Sequence, residues 1–382
     1  MRNRIFVTIL LSLLLASPVR ADYLEASLLE AVDSQDISAV REQLALGADV
    51  NARDNLGFPA LMTAVRRGNE RLVQVLLNAG ADVDLDAQDP FFADVTGANA
   101  LMWAAEDGRQ DIVELLLDSG AEVDFWSDTS MPTALLRAAA NGHGAVVQTL
   151  LERGAAVDQA VDGKTALHFA VREGYPGVVK VLLDYGADVN VRYHEMLTGG
   201  WGPDGQEKLD YFGTILMQAA LQGDPDTIGV LLDQGAEINA VDACGVSALM
   251  FAVRRAHTDA TRVLLLRGAD ARRQAFRKLE GAGTLCDPYR GTTALILAAR
   301  DSHSTDIARM LLSRNADINA TDVRGFTALM HACDQGSYDM AKFLIGKGSK
   351  VNYKYGPYTA LYLAESHDLG ELVKMLRQAG AK

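Results

Sequence analysis

Asp82, Asp84 and Asp86 stand at alternate positions in the stretch DVDLDAQDP, the spacing with which a calcium loop presents its first carboxylates. Such a loop also needs Gly at its sixth position for the sharp turn and a bidentate Glu at its twelfth. Here those positions hold Ala87 and Ala93. His194 and Glu195 set two possible ligands side by side, but no H-E-x-x-H or Cys/His spacing completes a metal site around them. Cys286, in GTLCDPYRGTT, has no matched His at a nucleophile spacing. No G-x-S-x-G turn, P-loop or dinucleotide fingerprint falls in a strand–turn–helix context. The sequence therefore assigns no catalytic residue, no metal and no cofactor, and it reads as non-enzymatic.

The elements that hold these residues begin after a segment that must be set aside first. Arg2 and Arg4 precede an apolar run from Ile5 to Ala16, and Val19-Arg20-Ala21 offers small or tolerated residues for cleavage. This is the pattern of a secretory signal peptide, residues 1–21, cut after Ala21. The run is too short to span a bilayer, so no membrane span is expected after cleavage. An uncleaved N-terminal anchor is the rival. Three arginines and no acids leave with the segment, taking the formal charge from −14 to −17. So acidic a chain repels phosphate backbones, which argues against nucleic-acid binding. It favours a basic partner surface, mainly through association rate.

The rest of the chain repeats. LGADVN, AGADVD, SGAEVD, RGAAVD, YGADVN, QGAEIN, RGADAR, RNADIN, KGSKVN and AGAK follow one another, anchored at Gly47, Gly80, Gly120, Gly154, Gly186, Gly235, Gly268, Asn315, Gly348 and Gly380. The spacings are 33, 40, 34, 32, 49, 33, 47, 33 and 32 residues. A period near 33 marks a stack of supersecondary units. In SALMFAVRRAH, Ala248, Leu249, Ala252 and Val253 form one stripe of a short helix. In DIVELLLDSG, Ile112, Val113, Leu115, Leu116 and Leu117 cover a second. A Thr before the first helix is placed to cap it, and Gly just after the second suits a left-handed C-cap.

GKTALHFAVREG followed by VVKVLLDYGADVN, residues 163–190, resembles the ankyrin repeat family, with its T-P-L-H entry and G-A-D-V-N ending. The resemblance covers residues 22–382 in ten units, the first and last built as caps. It implies an all-α ankyrin-repeat solenoid of stacked helix–turn–helix units with β-hairpin-like fingers. The family's His is Met at Met62, Met102, Met217, Met250 and Met330 and is kept at His168. His143, His257, His303, His331 and His367 also fall at repeat positions, leaving His194 unexplained.

Three spacings are long, and each excess lies between a helix-ending phrase and the next entry. The fingers near 85–98, 191–213 and 271–291 are thus expected to be extended. The first carries Phe91 and Phe92, which either cover a neighbouring finger or bind. The second carries Tyr193, His194, Tyr211 and Phe212, with Trp201 at a glycine-rich tip as a recognition anchor. The third is basic, with Arg272, Arg273, Arg277 and Lys278. The concave helix faces carrying Arg66, Arg172 and Arg254, with Arg67, Arg255 and Arg300, are the next candidates for partner contact. Cys244 and Cys286 sit in successive fingers and are expected to form a disulfide in an oxidising compartment, leaving Cys333 as a buried thiol.

The resemblance implies binding of a protein partner that the sequence does not identify. With the signal segment, the expectation is a periplasmic or secreted module that holds, inhibits or shields that partner. The alternative is a ligand-binding or enzymatic site between the long fingers.

Overall fold

The computed structural model describes residues 18–88, 97–127, 132–198, 208–276, 289–300 and 304–382, of which 18–20, 193–198 and 208–212 are described by backbone alone. Among the described residues the chain forms twenty helices and one two-stranded sheet. It divides into two compact units, one ending at Ala187 and one beginning at Asp188.

In the first unit the helices are α1 (Pro18–Asp33), α2 (Ile37–Ala45), α3 (Ala60–Arg67), α4 (Glu70–Asn78), α5 (Ala100–Glu106), α6 (Gln110–Asp118), α7 (Ala134–Ala140), α8 (Gly144–Glu152), α9 (Ala166–Glu173) and α10 (Pro176–Asp184). Odd-numbered helices pack on one another as an inner layer and even-numbered ones as an outer layer. The second unit opens with an antiparallel hairpin, β1 (Arg192–Thr198) and β2 (Lys208–Thr214). Five helix pairs follow. Their inner helices are α11 (Ile215–Gln222), α13 (Ala248–Arg254), α15 (Ala294–Ala299), α17 (Ala328–Asp334) and α19 (Ala360–Ser366). Their outer helices are α12 (Pro225–Asp233), α14 (Thr258–Leu266), α16 (Thr305–Ser313), α18 (Tyr338–Gly346) and α20 (Gly370–Gln378).

The inner helices are too short to be stable alone. They are fixed at both ends and on nearly every side. Thr133, Thr214, Thr293, Thr327 and Thr359 each accept a hydrogen bond from the backbone N–H three residues on, satisfying an orphan donor of the first turn. Met62, Met102, Met217, Met250 and Met330 are all buried between repeats, where their volume keeps the seam filled. His168 instead accepts from Thr165 N–H at 3.2 Å inside a capping box, and burial, with Lys164 nearby, drops it to about 3, so it stays neutral. In α6, Ile112, Val113 and Leu116 are buried, while Leu115 and Leu117 are half-exposed and do not belong to the core as the run of apolar letters suggests. Past that helix Gly120 takes φ 94° with open space around its α-carbon, so its role is conformational. Asn315 does the same work at φ 61°.

Two devices join successive repeats. In most repeats the last residue of the GADVN phrase reaches forward. Asn51 Oδ1 accepts from Asp82 N–H, Asn239 from Asp270, Asn319 from Lys350 and Asn352 from Lys382, each at 2.9 Å. Asp84 and Asp124 accept likewise from Glu122 and Ala156. The second device is a histidine staple. His143 Nε2–H donates to Glu106 O at 2.8 Å, and His257 Nε2–H to Leu221 O at 3.1 Å. Each ring lies flat over a glycine of the preceding turn, Gly108 or Gly223, where any side chain would collide with it.

Candidate interaction surface

The finger stems are tied to their neighbours by backbone hydrogen bonds. The first long finger closes through Ala87 N–H to Ala98 O at 2.7 Å and is braced by Gln88 N–H to Gly57 O at 3.2 Å. The second forms the β1–β2 hairpin, in register from Arg192 opposite Thr214 to Thr198 opposite Lys208. Thr214 then caps α11, so the hairpin runs into an inner helix without a joint. Asn190 Oδ1 accepts from Glu237 N–H at 2.9 Å and Arg192 Nη1 donates to Val241 O at 3.2 Å, anchoring its base to the following finger. The third closes at Gln274 and Thr293, donates from Phe276 N–H to Cys244 O at 3.0 Å, and takes Val323 N–H onto Arg290 O at 3.2 Å.

Tyr193, His194, Tyr211 and Phe212 therefore lie on paired strands, with Tyr193 opposite Gly213 and His194 opposite Phe212. Trp201, Phe91, Phe92, Arg277, Lys278, Cys286 and His303 lie outside the described residues. Cys244 is disulfide-bonded, and Cys333 is a buried thiol that burial, with Asp334 beside it, pushes up to about 12. The Asp82–Asp84–Asp86 ladder is spent on structure. Asp82 and Asp84 accept backbone N–H groups, Asp84 takes Asn99 Nδ2–H at 3.1 Å, and Asp86 pairs with Arg53. Burial, then the charges of Glu122 and Asp82, hold the Asp84 carboxyl above its usual range despite those bonds.

Three of the arginines at inner-helix ends share one arrangement, a guanidinium over an aromatic ring. Arg66 lies 4.8 Å from the Phe58 centroid and 5.1 Å from that of Trp103; Arg172 lies 5.0 Å over Phe169, and Arg254 lies 4.9 Å over Tyr289. Tyr289 belongs to the third finger's stem, and its ring under Arg254 is a placement the repeat pattern does not reveal. Arg172 is also paired with Glu173 at 2.7 Å, whereas Arg66 and Arg254 have no carboxylate partner among the described residues. Around Arg66 the first unit has a cleft of about 320 Å³, lined by Asp33, Asp54, Leu56, Thr63 and Arg67 as well, in which Arg67 pairs with Asp33.

In the second unit the guanidiniums converge. Arg300 Nη2 lies 3.3 Å and Arg324 Nε 3.5 Å from Asp322 Oδ2, which also accepts from His331 Nε2–H at 2.9 Å. Burial alone would raise Asp322. The His331 and Phe326 hydrogen bonds and the charges of His331 and Arg324 outweigh it and bring the carboxyl to about 2. The equivalent Asp242 makes the same finger-tip turn, accepting from Cys244 and Val246 N–H at 2.9 and 2.7 Å. Among the described residues no cation pairs with it, and burial lifts it to about 6. Partial desolvation of the guanidinium against Tyr289, then the charges of Arg255 and Arg300, hold Arg254 down although the side chain as a whole is exposed. In the first unit Arg137, on the inner helix α7, is almost fully buried and pairs with Glu106 of the preceding repeat, a link the sequence did not suggest.

Among the described residues no cluster of His, Cys, Asp or Glu is arranged to hold a metal ion, and no helix is long and apolar enough to cross a membrane. A family model described as ankyrin repeats (3 copies) matches residues 28–126, 126–193, 216–322, 273–355 and 321–382. The mitochondrial disaggregases of Bos taurus and Homo sapiens are each 49% identical over 61 residues, 16% of this chain and 9% of theirs. A B-cell lymphoma 3 protein homolog of Mus musculus is 36% identical over 95 residues, 24% of this chain and 21% of its own. The matches thus span a small part of each relative.

Proposed function

The chain belongs to the ankyrin-repeat family, and from that premise we propose that it is a non-enzymatic binding module, exported to the periplasm or beyond, that holds, inhibits or shields one partner protein. Ankyrin repeats are protein–protein interaction modules. The observation that carries the proposal is the state of the inner-helix ends. Arg66 and Arg254 are exposed, lie over rings and have no carboxylate partner among the described residues. A long charged side chain held in place without an ion-pair partner is poised for contact rather than for stability.

Export is supported by the Arg2 and Arg4 flank, the apolar run and the Val19-Arg20-Ala21 site. Cutting after Ala21 is compatible with the fold, because Asp22 and Tyr23 are exposed and, among the described side chains of α1, the first buried one is Leu24. Intact mass of protein from a periplasmic extract tests it: the mature chain begins at Asp22, and a full-length species in the cytoplasm would end the idea.

The second finger offers a test of binding. Asn190 is joined to Gly213 through a short turn, keeping the Asn190–Glu237 tie and the Thr214 cap. The shortened protein keeps its helical circular dichroism and loses partner capture. Full capture by the folded, shortened protein would move recognition off this finger.

A further inference from the structure

Four guanidiniums follow one another along the inner-helix ends and fingers of the second unit: Arg254 and Arg255 at the end of α13, with Arg254 over Tyr289 of the following finger, then Arg300 at the end of α15 and Arg324 on the next finger, which meet at Asp322. We infer that this row is a docking site for a carboxylate-rich, extended segment of the partner protein. The inference rests on the protein-binding reading above and adds the chemistry of what is bound.

Like charges gathered on an acidic protein need a reason. Burial and Arg324 make the charged form of Arg300 harder to hold, and desolvation, then Arg255 and Arg300, do the same to Arg254. Asp322 answers part of this, shared by Arg300, Arg324 and His331. Asp242 is the other carboxylate at the equivalent finger turn, and it sits buried against backbone N–H groups. Arg254 and Arg255 have no carboxylate partner among the described residues, and both are exposed. Two positive charges, those of Arg254 and Arg255, therefore have no carboxylate partner among the described residues.

Net charge points the other way, since the chain as a whole is acidic. Screening decides which matters at contact: beyond about 8–10 Å at physiological salt, distant carboxylates are damped. A bound segment feels the guanidiniums it touches. Arg is also the side chain whose planar fork takes a carboxylate through two parallel hydrogen bonds. The Arg254 guanidinium rests 4.9 Å from the Tyr289 ring centroid and that of Arg324 5.1 Å from the Phe326 centroid. Their rotamers are thus partly fixed before a ligand arrives, which lowers the ordering cost of binding.

The test uses the full chain and a fluorescein-labelled peptide of alternating Glu and Gly, read by fluorescence anisotropy. The Arg254→Ser/Arg255→Ser double variant removes two unpaired charges. Arg262→Ser/Arg267→Ser removes two from the outer layer, where they pair with Asp259 and Asp233 at 2.6 Å. Thermal melts check that both variants fold. The wild type binds the peptide in a salt-dependent way, the first variant weakens it by about tenfold or more, and the second leaves it unchanged. Equal losses in both variants would reduce the effect to bulk charge and overturn the site. Tighter competition by polyphosphate than by unlabelled peptide would assign the row to phosphate instead. Absence of peptide binding, while a photo-crosslinker on the same face still captures a protein, would sink the acidic chemistry but leave the binding reading standing. Absence of both would end both.

Discussion

The Arg254 guanidinium lies 4.9 Å above the Tyr289 ring, joining the end of one repeat's inner helix to the stem of the next repeat's long finger. Tyr289 is buried and packs 6.5 Å from Phe251, so it serves the core and the surface at once. Tyr289→Leu keeps much of the apolar volume and removes the aromatic face. Loss of an exposed to half-buried cation–π contact costs about 0.5–1 kcal/mol. The expected outcome is a small drop in stability, read by urea unfolding, with a larger drop in partner affinity. A large stability loss with unchanged affinity would make the pair purely structural.

Asp242 and Asp322 occupy the same finger-turn position in different repeats, yet their acidities are pushed in opposite directions, to about 6 and about 2. Asp322 falls below its unfolded value, so its contribution is complete above about pH 4 and is lost as pH falls toward 2. Asp242 rises above its unfolded value, so the folded state prefers it protonated and stability is lost as pH rises from about 4 through 6. At neutral pH, Asp322→Asn destabilises by an amount of order 2 kcal/mol, while Asp242→Asn is neutral or stabilising. Unfolding free energies of each variant against wild type at pH 4, 5.5 and 7 check the signs. The same sign for both would refute the assignment.

The histidine staple gives a third prediction. His257→Ala leaves Leu221 O without its donor and uncovers Gly223; a lost hydrogen bond with a partly buried acceptor costs about 1–2 kcal/mol. Hydrogen exchange should accelerate mainly in α11 to α14. Uniform acceleration along the second unit would contradict a local link between neighbouring repeats.

Core and backbone terms separate cleanly in the third repeat. Leu116→Ala, at a fully buried site, costs about 2–5 kcal/mol, and Leu115→Ala, at a half-exposed one, costs less. Gly120→Ala meets no atom within 4 Å, so any loss, about 1–2 kcal/mol, reports the left-handed backbone alone. If Leu115→Ala proved the costlier leucine change, the packing described for α6 would be wrong.

The repeat was legible because its signals are local. A glycine after the outer helix, a Thr before the inner one and a stripe of Ala and Leu sit within a few residues of what they control. Links between repeats were not legible in the same way. His257 and its carbonyl are 36 residues apart, and Asn51 and its donor 31. A single sequence shows that such residues recur, not which neighbour they reach. Arg137 was missed for that reason. Its partner Glu106 belongs to another repeat, and an Arg among alanines looks like a solvated position. Of the candidate surface, Arg66, Arg172 and Arg254 could be read from their place on the first-helix faces. Tyr289 could not, because it lies in a finger whose length hides its alignment. An aromatic four residues before a capping Thr was the available signal.

The central claim, that the finger and inner-helix face recognises the partner, is tested most directly by site-specific photo-crosslinking. Benzoylphenylalanine replaces Val323, exposed on a finger beside Arg324, or Leu266, exposed at the end of an outer helix. The account predicts a single protein adduct from position 323, lost on Arg254→Ser/Arg255→Ser substitution, and none from position 266. An adduct from position 266 with none from 323 would contradict it.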